Sequence, residues 1–236
     1  MDYEFTRTEI LLGNEAVKRL KAAKVIIFGV GGVGGYVAEA LARAGIGSIT
    51  LVDSDKVDIT NINRQLAALH STVGRYKTEV MAERIKDINP EAEVIVKNCF
   101  YLPENADEFN FYAYDYIADC VDTVAAKIDI IERAVNMNVP VISAMGAGGK
   151  LDPSLFRVSD ISKTEYCPLA KVMRRELRKR GITHVPVVWS PEARAKNEGN
   201  GEGPIGTVSF VPGAAGLVMA GEIVRKISEI VPEIKP

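Results

Sequence analysis

The chain predicts an α/β fold: a Rossmann-like, doubly wound and mostly parallel sheet with a C-terminal antiparallel extension. Three observations predict it. Short apolar runs alternate with stretches of helical periodicity through the first 150 residues. A glycine-rich turn separates the first such run from the helix that follows it. The alternation then breaks after Gly146-Ala147-Gly148-Gly149. Strands alternating with helices imply parallel strands covered on both faces.

The elements follow in order. The first twenty residues mix charges with apolar residues at helical spacing and have no continuous apolar core, so they do not read as a signal peptide. Lys24 to Phe28 is an apolar strand, Tyr36 to Ala44 a helix and Ser48 to Val52 a second strand. Lys77 to Ile88 reads as helix, Ala92 to Val96 and Tyr114 to Ala118 as strands, Thr123 to Asn136 as helix and Val139 to Ser143 as strand. Beyond Gly149 the pattern suggests a hairpin, a charged helix from Pro168 to Arg180, short strands near Val187 and Val208, and a last helix after Pro212. The uncharged stretch Ile205 to Gly221 is broken by prolines and glycines, and a spanning helix needs roughly 20 apolar residues. It reads as a buried strand and a core helix, leaving membrane association at most peripheral. Ala193 to Pro204 is polar and glycine-rich and is expected to be a flexible loop.

Composition narrows the function classes. With 47% hydrophobic and 25% charged residues over 236 positions, the chain has the make-up of a globular protein. A formal charge of −2 provides no overall field towards nucleic acid, so any RNA contact must be a local patch. Cys99, Cys120 and Cys167 are odd in number and scattered, which argues against a disulfide framework and for a reducing, cytoplasmic address.

Gly29-Val30-Gly31-Gly32-Val33-Gly34 matches GxGxxG between strand and helix, where small residues let backbone amides approach phosphates. Asp53 lies 19 positions after Gly34 at the end of the second strand, suited to receive ribose hydroxyls. These two features do not choose between NAD and ATP. The tie is broken by Asp55, Asn61, Asn63-Arg64-Gln65 and Lys77, which add fixed cations beyond the ribose. A triphosphate attacked at its α-phosphorus needs such donors, and Arg64 and Lys77 are the choices for that work. The fourth strand ends in Asp119-Cys120-Val121-Asp122, where Asp122 could hold Mg²⁺ on the phosphates. Singly, each residue has a bland reading: Arg64 a surface ion pair, Lys77 a solvated helix residue, Asp122 a helix cap. Their joint occurrence with the glycine loop favours the functional one.

Arg7, Gly29 to Gly34, Asp53-Ser54-Asp55, Asn61 with Asn63-Arg64-Gln65, Lys77 and Asp122 together resemble the adenylation domain of the ubiquitin-activating-like (ThiF/MoeB/HesA) superfamily. The match covers roughly the first 150 residues and rests on several separated motifs. The resemblance implies that Gly29, Gly31, Gly32 and Gly34 approach the nucleotide and that Asp53, with Asp55, serves the ribose end. It implies further that Asn61, Arg64 and Lys77 hold phosphates and that Asp122 serves Mg²⁺. Arg7 would reach into the neighbouring subunit's site, which implies a homodimer. Residues 1–236 would then be one ThiF-type adenylation domain, with a nucleotide-binding core at 1–150 and a substrate-side extension at 151–236.

Members that activate sulfur-carrier proteins usually bear two Cys-x-x-Cys pairs for structural zinc. Here no such pair occurs, and three cysteines with His70 and His184 make a four-ligand site unexpected. The segments Gly146 to Pro153, Val158 to Thr164 and Cys167-Pro168-Leu169-Ala170 instead resemble the branch that cyclises N6-threonylcarbamoyladenosine in tRNA. That branch uses ATP to adenylate a carboxylate, and the resemblance spans nearly the whole chain. Its second step is intramolecular, so no protein thiol is required. Cys167 is the one candidate thiol, for sulfur handling with a sulfur-transfer partner, beside its plainer reading as a packed residue at a helix start. Lys171, Arg174, Arg175 and Arg178 share one helical face and are the candidate RNA contacts, although a solvated face is as good a reading. Two alternatives remain: adenylation of the C-terminal glycine of a sulfur-carrier or ubiquitin-like protein, and an NAD-dependent dehydrogenase.

Overall fold

The computed structural model describes residues 3–195 and 205–231. Part of the loop expected near 193–204, residues 196–204, lies outside the described residues.

Two helices, α1 (Thr6–Leu12) and α2 (Asn14–Ala22), lead into β1 (Lys24–Phe28), α3 (Gly34–Ala44) and β2 (Ser48–Val52). There follow α4 (Lys77–Ile88), β3 (Glu93–Lys97), β4 (Tyr116–Asp119), α5 (Val124–Asn136) and β5 (Val141–Ala144). The second half holds β6 (Arg157–Asp160), α6 (Pro168–Arg178), β7 (Pro186–Trp189) and α7 (Phe210–Ser228). Among the described residues the strands form a seven-stranded sheet in the order β3-β2-β1-β4-β5-β7-β6. Every neighbouring pair is parallel except β6 with β7. The expected fold class is borne out.

Alternation along the strands assigns side chains to two cores. In β1, Val25 and Ile27 join one buried cluster and Ile26 and Phe28 the other. The first lies under α3, α4 and α7. The second is built on α5, α6 and an aromatic knot of Phe28, Tyr101, Phe109 and Phe111, whose ring centroids are 4.7 to 6.4 Å apart in the pairs that touch. Phe109 and Phe111 are thereby buried. Helix α7 crosses α3 closely because Gly216 has no Cβ; one added there would sit 2.5 Å from the Val33 carbonyl oxygen.

Two expectations in the second half are corrected. The hairpin after Gly149 does not form: β6 pairs with β7, and α6 lies between them in the chain. No strand forms near Val208 among the described residues. There the Gly206 carbonyl accepts from Gly149 N–H at 2.8 Å and the Thr207 carbonyl from the Asn63 amide at 3.1 Å, so both carbonyls are spent away from any ladder. Helix α7 begins at Phe210, ahead of Pro212, because a proline in the first turn lacks only an N–H that has no helical partner. Among the described residues no helix is long and apolar enough to cross a membrane.

Candidate active site

The carboxyl ends of β1, β2, β4 and β5 converge on a cleft of about 640 Å³. Its floor is the glycine turn after β1. Gly29 has φ +86°, and a Cβ there would lie 2.8 Å from the Cys120 carbonyl oxygen. A Cβ on Gly34 would lie 1.8 Å from the Gly29 carbonyl oxygen, so the first turn of α3 closes tightly on the loop. Gly31 and Gly32 face the cleft.

Asp53 fixes this turn from the side. One carboxylate oxygen accepts Val30 N–H at 2.7 Å and the other accepts Asp55 N–H at 2.8 Å. Each oxygen keeps a second acceptor direction, which is what a ribose hydroxyl would require.

Lys77 lies far along the chain from Asp53, yet backbone pairing brings it in. Lys56 bridges Tyr76, Val57 N–H donates to the Arg75 carbonyl, and Lys77 N–H donates to the Asp55 carbonyl at 3.0 Å. Lys77 thereby opens α4 with its side chain 6% exposed and its ammonium 2.7 Å from the Asp55 carboxylate, itself 62% exposed. Asn61 is buried in a short 3-10 turn capped by Asp58 and accepts Asp58 N–H at 3.1 Å. The same turn throws Arg64 into the cleft, its guanidinium donating to the Thr60 carbonyl and the Asn63 side chain at 2.9 and 2.8 Å. Asp122 is exposed on the opposite wall, after β4.

The cleft thus gathers Gly29, Gly31, Gly32, Asp53, Asp55, Asn61, Arg64, Lys77 and Asp122, with Gly34 directly beneath. It does not gather Arg7. That residue is exposed on α1, in a separate hollow with Tyr3, Glu4, Thr6 and Ile10. Cys120 lines the cleft against Met219 at 3.5 Å, and burial with the neighbouring Asp119 charge pushes its thiol well above the ordinary range. Cys167 is buried at the start of α6. Lys171, Arg174, Arg175 and Arg178 do share one face of α6. Arg174 is committed in part to the Thr164 carbonyl at 2.8 Å, and Arg175 to Glu176.

Sequence reasoning missed three features. Asp119 and Lys127 form a fully buried ion pair at 2.8 Å, to which the Ser143 hydroxyl also donates. Lys127 donates in addition to the Val121 carbonyl at 3.0 Å, so the pair pins the loop that carries Asp122. The available signal was a lysine set among the apolar residues Ala126, Ile128, Ile130 and Ile131. Gln65 and Thr207 are the second feature: Gln65 Oε1 and Thr207 Oγ1 are buried, line the cleft and have no hydrogen-bond partner among the described residues. Orphaned polar atoms at a cleft wall are what a bound ligand would satisfy. The third is Lys150, whose ammonium is buried against the Ser190 and Glu192 carbonyls and is held below the usual lysine range by desolvation. It ties the turn after β5, which forms another wall of the cleft, to the segment after β7.

Comparison with known proteins gives a consistent picture. Residues 5–236 match the model of the ThiF family. A Bacillus subtilis protein named tRNA threonylcarbamoyladenosine dehydratase is 46% identical over 242 residues, covering 96% of this chain and 95% of that protein. The Escherichia coli tRNA N6-threonylcarbamoyladenosine dehydratase, TcdA, solved in complex with AMP, superposes with a TM-score of 0.90 at 37% identity, covering 96% of this chain and 94% of that one. The same enzyme in complex with ATP gives a TM-score of 0.89 at the same identity and coverage.

Proposed function

This chain belongs to the ThiF family, and from that premise we propose that it is an ATP-dependent tRNA threonylcarbamoyladenosine dehydratase. The observation that carries the proposal is the single cleft joining the glycine turn, Asp53, the Arg64 and Lys77 cations and Asp122. It accommodates a nucleotide with its sugar at Asp53 and its phosphates between Lys77, Arg64 and the amino end of α3.

The threonyl carboxylate of the modified adenosine attacks the α-phosphorus of ATP, and the bond to pyrophosphate breaks. Charge accumulating on the phosphate oxygens meets Lys77 and Arg64, both already oriented by Asp55, Thr60 and Asn63, so little reorganisation is needed. The carbamoyl group of the same substrate then attacks the acyl carbon and AMP leaves. The net change is loss of one water from the nucleoside. Proximity within one substrate supplies the second step, in keeping with a cleft whose two cysteines, Cys99 and Cys120, have thiols raised above the ordinary range by desolvation.

Among the described residues no group of three or more His, Cys, Asp or Glu is arranged to hold a metal ion. Mg²⁺ on phosphates asks for less, one or two carboxylates with phosphate and water oxygens, and exposed Asp122 fits that role. When bound there it would neutralise charge on the phosphates.

We further propose that the protein acts as a cytoplasmic homodimer in which Arg7 completes the neighbouring subunit's site, and that residues 151–236 face the RNA. Lys171 and Arg178, exposed and without ion-pair partners among the described residues, are the phosphate contacts of that face, supported by Arg174 and Arg175. A sulfur-transfer partner would have to reach Cys167, which is buried in this conformation.

Incubation with ATP and tRNA carrying threonylcarbamoyladenosine tests the proposal. Nucleoside mass spectrometry should show loss of one water, with stoichiometric AMP and pyrophosphate. Unchanged nucleoside mass with active control enzyme would remove the reading.

A further inference from the structure

Tyr166, in the turn that leads into α6, is 72% exposed. Its backbone has φ +51°, in the left-handed region. Glycine and asparagine enter that region readily, but a bulky aromatic residue there is strained. Tyr166 thus forgoes both the burial of a large ring and a relaxed backbone, and a residue kept in that state points to work at the surface.

The turn is held from both sides. Thr164, 4% exposed, donates to the Ile161 carbonyl at 2.7 Å, and Arg174 reaches back from α6 to the Thr164 hydroxyl and, at 2.8 Å, to its carbonyl. On the other side Cys167 is buried, its sulfur 3.7 Å from the place a Cβ would take on Gly146, which lines the nucleotide cleft. Leu169, in the first turn of α6, lines the cleft itself. A fixed backbone therefore presents the tyrosine beside the cleft.

Lys171 follows within α6, its N–H on the Cys167 carbonyl at 3.0 Å, and shares the basic face that runs on to Arg178. The exposed residues Lys163, Glu165 and Lys171 around Tyr166 in the chain are charged, with cations in excess. A lone aromatic ring among charges lacks the apolar surround of a protein interface core. It has the composition of a platform on which an unpaired base stacks while cations follow the phosphates.

We propose that Tyr166 stacks on an unpaired base next to the modified adenosine of the RNA substrate, with the strand continuing along Lys171 and Arg178. The proposal rests on the dehydratase reading above and deepens it, since it makes the recognised RNA a single-stranded loop and not a duplex.

Binding of a stem-loop RNA with threonylcarbamoyladenosine in its loop tests it, with a fully paired duplex of the same stem as control. Tyr166→Asn removes the ring and accepts the left-handed backbone, so it folds, while Tyr166→Trp keeps a ring. By fluorescence anisotropy the stem-loop should bind Tyr166→Asn about tenfold more weakly than the parent chain and Tyr166→Trp within about twofold of it, with duplex binding unchanged. Emission of Tyr166→Trp should be quenched by the stem-loop more than that of the parent chain, whose own Trp189 is buried. Undiminished stem-loop affinity in Tyr166→Asn, no added quenching in Tyr166→Trp, an equal loss on the duplex, or a changed oligomeric state in Tyr166→Asn would overturn the proposal and leave the dehydratase reading standing. A parent chain that removes no water from the modified RNA would instead overturn that reading, and this proposal with it.

Discussion

The loops after β2 and β4 face each other across the nucleotide cleft, and each depends on an aspartate–lysine pair of nearly equal length. Lys77 and Asp55 are 2.7 Å apart and Lys127 and Asp119 are 2.8 Å apart, yet Asp55 is 62% exposed while both members of the second pair are fully buried. Lys77 is itself only 6% exposed, but its partner is open to water and can readily be left, so the cation can be handed to an incoming phosphate. A sealed pair has no such freedom. Lys127 also holds the Val121 carbonyl, so its charge is spent on shaping the loop that presents Asp122. The same two residue types therefore do different work, and burial makes the difference.

Breaking the sealed pair should have the largest effect. Lys127→Met leaves Asp119 buried without its counterion, and stability measured by urea unfolding should fall by about 3–5 kcal/mol. Removing both charges in Lys127→Met with Asp119→Leu should recover much of that loss, since the cost lies in the stranded charge. Recovery of neither stability nor solubility would show that the pair does something other than satisfy itself.

Lys77→Ala probes the open pair. Pyrophosphate exchange or AMP formation should fall about 10²- to 10³-fold, while the urea midpoint stays near that of the parent chain. A large stability loss with near-normal turnover would reverse the assignment of the two loops. Asp122→Ala should sit with Lys77→Ala, and a rise in its residual activity with added Mg²⁺ would sharpen its role.

Smaller effects belong to surfaces outside the cleft. Lys171→Ala and Arg178→Ala should each weaken tRNA binding a few-fold and reduce the salt slope by about 1, with ATP affinity unchanged. Smallest of all, Cys120→Ala should alter the rate less than about twofold, and alkylation at mildly alkaline pH should spare Cys120, because burial holds it as a neutral thiol.

The first half of the fold was legible because its signals are local. β1 and β2 begin and end where the apolar runs do, and Gly29 to Gly34 occupies the turn that its pattern requires. β3, β4 and β5 are displaced from their expected bounds by one or two residues, within what strand propensity can define. The second half was less legible. Val208 sits in an apolar stretch that reads as strand, but the backbone there bonds to Gly149 and Asn63, partners distant in the chain. β6 and β7 likewise pair across α6, where no turn chemistry announces it.

By itself, then, the amino-acid order determined the glycine turn, the acidic residue that follows β2, the parallel core of the sheet and the presence of cations beyond that acidic residue. These depend on periodicity, on backbone freedom at glycine and on short spacings, all of which are written in neighbouring residues. Only the tertiary structure decided that Lys77 meets an exposed partner while Lys127 is sealed with a buried one, and that Gln65 and Thr207 leave buried polar atoms unpartnered in residues that line the cleft. Burial and partnership are set by residues tens of positions away, and a charge or hydroxyl acquires its role only from what surrounds it.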